Sequence, residues 1–103
     1  MKLVRDFIPA IIEESGRSCK YHSADLAELE SRLYDKMIEE MNEFKENPCS
    51  EEAADMLEVF QTLCWVHRIP LEEIENIGKN KRKVKGGFLS GLILEEVSNE
   101  KHS

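Results

Sequence analysis

The chain has 103 residues, enough for one domain and no more, and 41% of them are hydrophobic. Its net charge of -7 excludes general affinity for nucleic acid or anionic membrane, both of which need a positive field. It leaves room for a small phosphorylated ligand, because a bound divalent cation reverses the local sign.

The first residues, MKLVRDFIPAII, suggest a short extended piece over 2–5 and then a short helix starting near Asp6. Pro9 is tolerated in that helix's first turn, and Gly16 ends it. The segment is broken by Arg5, Asp6 and Pro9, so it lacks the apolar core of a signal peptide. Residues 17–22 read as loop. Ser23 or Asp25 can then cap a long helix running to about Asn47. Pro48 interrupts it within the NPCS turn. Ser50 can cap the next helix, which runs from Glu51 to about Val66. His67-Arg68-Ile69 connects to a further helix opened by Pro70 and stopped near Gly86-Gly87. The apolar FLSGLIL that follows reads as a short strand or an extended packing arm, and the polar tail from about 97 to 103 as frayed.

The expected architecture is therefore all-α, an antiparallel helical bundle in a single domain spanning 1–103. Aromatic residues are 7% of the chain, so Leu, Ile, Val and Met must build most of the core. A domain this small keeps much of its surface exposed. Completion of the bundle by a second copy, as a homodimer or homotetramer, is the expectation. The three cysteines, Cys19, Cys49 and Cys64, are odd in number and widely spaced, which fits neither a disulfide framework nor a zinc site. No stretch reaches membrane-spanning length. A reducing cytoplasm is the expected home, with neither nucleic acid nor membrane as partner.

Placed on a wheel at about 100° per residue, the long helix puts Leu26, Leu29, Leu33, Met37, Met41 and Phe44 on one stripe. Glu40 falls inside that stripe and Glu43 on its flank, whereas Glu39 points outside it. On the next helix Ala53, Met56, Leu57, Phe60, Leu63 and Cys64 form the core face, extended on one side by Val59 and Val66. Glu52 falls in line with those two valines, and Asp55 sits at the edge. Glu51 and Glu58 point away. Each helix thus carries one acid inside its apolar arc and another three residues along, on the same face. A carboxylate on a buried face is costly unless it is paired or binds a metal. The short turn sets the helices side by side, so the four acids can converge. An all-oxygen donor set suits Mg²⁺ or Mn²⁺ rather than zinc. The same placement also serves an ion-pair cluster with Lys36 or with basic residues of another helix, and the wheel does not separate the two.

The segment KMIEEMNEF followed by SEEAADMLEVF resembles the EExxE…ExxD signature of the MazG-like all-α nucleotide pyrophosphohydrolases. The opening KLVRDFIPAIIEESG and the later KGGF resemble the phosphoribosyl-ATP pyrophosphohydrolase-like branch of that superfamily, over roughly residues 2–90. The resemblance implies a magnesium-dependent enzyme that cleaves a nucleoside triphosphate or related nucleotide to the monophosphate and pyrophosphate. Carried over by position, Glu40 and Glu43 match one metal-binding pair and Glu52 and Asp55 the other. Glu39 matches the leading acid. The sequence departs from the branch at Ala10, often an acid there. The short interval between Glu43 and Glu52 implies a tight hairpin without an inserted specificity loop.

The mechanism expected from such a site needs cations against the phosphate chain and a water aimed in line. A metal held by the four carboxylates would activate that water, with Glu39 or Glu43 as candidate proton acceptor. KNKRKVK supplies Lys79, Lys81, Arg82, Lys83 and Lys85, either as phosphate contacts or as a solvated basic helix end. Arg5 and Asp6 could line the nucleotide site or form an ion pair. His22, His67 and His102 have no nucleophile beside them and read as structural or surface residues. Trp65 reads as packing. The competing possibility is a catalytically silent oligomerisation or binding module of the same fold.

Overall fold

The computed structural model describes residues 1–99. Four helices make up its regular structure: α1 Ile8–Glu14, α2 Leu26–Glu46, α3 Ser50–Val66 and α4 Leu71–Lys85. There is no strand among the described residues. The all-α expectation therefore holds. The FLSGLIL segment contains a turn at Leu89-Ser90 and is otherwise irregular, which removes the strand alternative. His102 and the end of the polar tail lie outside the described residues. By internal contacts the chain divides into two compact units, Met1–Leu71 and the residues from Glu72 onward.

Local chemistry accounts for the helix ends in the first unit. Pro9 occupies the first turn of α1, where its missing N–H removes no helical hydrogen bond. Gly16 closes that helix at φ +87°, a left-handed conformation that costs glycine little. Asp25 caps α2 by accepting a 2.8 Å hydrogen bond from the Glu28 amide. Ser50 is not a cap. It is the first helical residue of α3, and Cys49 holds the capping position without a side-chain bond. α3 ends in a Schellman turn: the amides of Arg68 and Ile69 donate to the carbonyls of Trp65 and Cys64. Arg68 stands in the left-handed position, with φ 58°, where glycine is usual.

α2 and α3 form a hairpin across residues 47–49 and pack along one another. Their seam is Leu33 against Val59 and Leu63, flanked by Leu29, Met37 and Val66, with Leu3 of the N-terminal segment packed onto it. Burying a leucine such as Leu33, 2% exposed, contributes about 1.5–3 kcal/mol. Cys64 is buried and unbridged.

The seam runs along only part of the expected core faces. Leu26, Met41, Leu57 and Phe60 are exposed, as is Ala53. Two helices in contact cover one stripe of each, and both apolar arcs here are wider than a stripe. On α3 the stripe in use is Val59, Leu63 and Val66 with Cys64 beside it, so Leu63 and Cys64 of the expected face are buried and the side in line with Glu52 joins them. Trp65 is a further correction to the packing expectation, since it is 70% exposed.

In the second unit α4 carries acids in its first turn and Arg82, Lys83 and Lys85 in its last, the charge order that complements a helix dipole. Gly86, at φ +83°, terminates it.

Candidate metal centre

The hairpin brings the acids together as two triads that share one member. Glu39, Glu40 and Glu43 each offer an oxygen within 4.8 Å of the others, and so do Glu40, Glu52 and Asp55. Glu40 is the junction, and it is the one buried charged residue among those described, at 5% exposure. Its place in the Leu33–Met37 stripe turns it toward α3. On α3, Glu52 and Asp55 meet it from positions three apart.

Glu39 departs from the wheel's expectation. Its backbone position lies outside the stripe, yet its carboxylate reaches the cluster. The reason is its long side chain together with Lys36, whose ammonium lies 3.4 Å from Glu39 Oε2 and 3.4 Å from Glu40 Oε1. Lys36 serves both acids because they stand three and four residues along the same helix. Part of the ion-pair alternative is thus realised. It engages only one Glu40 oxygen. Glu40 Oε2 and Glu52 Oε2 are both buried and have no hydrogen-bond partner. A buried unpaired carboxylate oxygen costs about 1–3 kcal/mol or more.

Burial, the largest influence, pushes the Glu40 carboxyl above the usual carboxylate range. The hydrogen bond from Lys36 draws it back, and the charges of Glu43 and Asp55 push it further up.

Arg5 reaches this cluster from a distance that local sequence patterns do not cover. Its Nη2 donates to Asp55 Oδ1 at 2.6 Å, across a separation of 50 residues. Arg5 therefore pairs with Asp55 and not with Asp6. Nothing in residues 2–6 announces that partner, which depends on Leu3 packing onto the α2–α3 seam. Arg5, Lys36, Glu40 and Asp55 line a cavity of about 470 Å³. Apolar residues also line it, among them Phe7, Ile8, Ile11, Leu29, Leu33 and Val59, together with the acids Asp6 and Glu58 and the hydroxyl of Thr62.

The remaining candidates are placed as follows. Lys79, Lys81, Arg82, Lys83 and Lys85 are exposed residues of α4, in the second unit. His22 contacts Glu28 at 2.9 Å, and His67 contacts the Tyr34 hydroxyl at 3.0 Å; both fit surface or structural roles.

The donor set fits a hard cation. Among the described residues the grouped donors are all carboxylate oxygens on facing helices, and the buried Glu40 Oε2 and Glu52 Oε2 lack a hydrogen-bond partner. No family model, curated protein or solved structure matches this chain.

Proposed function

We propose that the protein is a magnesium-dependent nucleotide pyrophosphohydrolase, cleaving a nucleoside triphosphate or related nucleotide to the monophosphate and pyrophosphate. The observation that carries the metal site is Glu40: a buried carboxylate at the junction of two acid triads, with Oε2 unpartnered. The reaction class comes from the resemblance of the acidic motifs and the KLVRD opening to the MazG-like enzymes.

Glu40, Glu43, Glu52 and Asp55 would hold Mg²⁺, with Mn²⁺ as a substitute. A divalent ion held there would supply positive charge against the phosphates and a more acidic water. Glu39 and Glu43 flank Glu40 and are the candidate acceptors for the water's proton. Arg5 and Lys36 supply positive charge on the wall of the cavity, where a phosphate chain needs it. The apolar residues of the cavity, Phe7, Ile8, Ile11, Leu29, Leu33 and Val59, would face the nucleobase.

A second copy of the chain is part of this proposal. Tyr34, Ile38 and Met41 follow one exposed face of α2, and Leu57 and Phe60 are exposed on α3. Such a face is better covered than left in water.

The test is incubation with a panel of ribo- and deoxynucleoside triphosphates plus Mg²⁺, with pyrophosphate as the readout. Turnover of at least one nucleotide that is lost in EDTA is the expected result. No turnover on the panel, with no thermal shift in Mg²⁺ or Mn²⁺, refutes the proposal in favour of a silent binding module.

A further inference from the structure

Asp55 is a member of the second acid triad, yet one of its oxygens is taken by Arg5 at 2.6 Å. A guanidinium on that oxygen offsets one unit of the triad's charge. A divalent ion brings two units to the same place, and two cations on one carboxylate repel each other. The contact is accessible, with the Arg5 and Asp55 side chains 58% and 39% exposed, so the guanidinium can leave into solvent at small cost.

The segment that carries Arg5 is held by other means. Leu3 packs against the Leu33–Val59–Leu63 core, and Met1 O accepts a 3.4 Å hydrogen bond from Arg32. The Arg5 side chain can therefore change partners while the backbone stays seated. It lines the same cavity as Lys36 and Glu40. Its planar fork of donors matches a phosphate as well as a carboxylate.

We propose that Arg5 is an exchangeable counter-ion: it neutralises Asp55 until a divalent metal binds the triad, and the freed guanidinium then binds the anionic oxygens of the substrate's phosphate chain. This inference rests on the metal-site proposal above. It gives Arg5 opposite effects on the two ligands. Arg5 weakens binding of the metal alone and strengthens binding of the metal-bound anion.

Mn²⁺ affinity of the full chain, read by electron paramagnetic resonance of the free ion, tests the first half. Arg5→Gln is expected to bind Mn²⁺ about two- to five-fold more tightly than the parent, the range an exposed ion pair supports. In an Asp55→Asn background the same replacement is expected to change Mn²⁺ affinity little, because the pair it breaks is already gone. In the presence of saturating Mn²⁺, Arg5→Gln is expected to bind inorganic pyrophosphate more weakly, and Arg5→Lys to recover part of the loss. The unmutated protein gives an independent reading, since its Arg5 Nε–H resonance should shift on titration with Mg²⁺. Equal or weaker Mn²⁺ binding by a folded Arg5→Gln, or an Arg5 resonance unmoved at saturating Mg²⁺, overturns the exchange while leaving the metal site standing. Absence of Mn²⁺ binding by the parent protein overturns the metal site and the exchange together.

Discussion

Replacing Glu40 with glutamine keeps the side chain's length and removes its charge, so the replacement distinguishes a metal ligand from a structural ion pair. Glu40 has one oxygen 3.4 Å from Lys36 and the other buried without a hydrogen-bond partner. The orphan costs about 1–3 kcal/mol. The Lys36 contact is worth about 1 kcal/mol at most, and Lys36 retains Glu39 after the change. A glutamine amide can also donate to the acids around it. The expected net effect is a stabilisation on the order of 1 kcal/mol, or about 4–8 °C in Tm for a domain of this size.

The sign should depend on pH. The Glu40 carboxyl titrates above its ordinary value of 4.5 in the folded state, so the fold prefers the protonated form. The stability this group contributes is fully present below 4.5 and is lost as pH rises through the folded value. Glu40→Gln should therefore gain most at neutral pH and lose its advantage in acid. Metal should invert the order, because at one hundred times the dissociation constant a ligand stabilises the parent by about 2.7 kcal/mol. Thermal melts of both proteins at pH 7 and pH 4, in EDTA and in Mg²⁺, contain the whole comparison. A Glu40→Gln protein less stable than the parent in EDTA at pH 7, or an equal Mg²⁺ shift in both, would refute the reasoning.

Other outcomes follow from the same structure. Asp55→Asn should abolish nucleotide-dependent pyrophosphate release while leaving the far-ultraviolet circular dichroism unchanged. Leu33→Ala should destabilise by about 2–5 kcal/mol, read from the urea midpoint, because Leu33 is the most buried residue of the seam. Asp25→Ala should cost about 0.5–2 kcal/mol through loss of the bond to the Glu28 amide. Ile38→Glu and Phe60→Glu should each lower the mass seen by sedimentation if a second copy covers the exposed α2–α3 face.

Sequence and tertiary structure contribute differently to this picture. Most helix starts and stops were legible residue by residue, since Pro9, Asp25, Pro48, Gly16 and Gly86 act through their own backbone or side-chain chemistry within a few positions; α3 differs at both ends, with Cys49 rather than Ser50 in the capping position and Arg68 in the left-handed one. The unusual cost of Glu40 was legible as well, because the helical period alone sets it among Leu33, Met37 and Phe44. Which part of each apolar arc would be buried was not. That depended on how α2 and α3 rotate against each other, and the outcome favoured Val59 and Val66 over Leu57 and Phe60. The reach of Glu39 into the cluster likewise needed side-chain length and the position of Lys36, which a wheel of backbone positions omits. Arg5 is the clearest case. Its pairing with Asp55 spans 50 residues and follows from Leu3 seating the N-terminal segment on the hairpin. The sequence by itself determined that costly acids lie on two adjoining helices; only the tertiary structure decided how they group, which oxygens stay unpartnered and which cation stands against them.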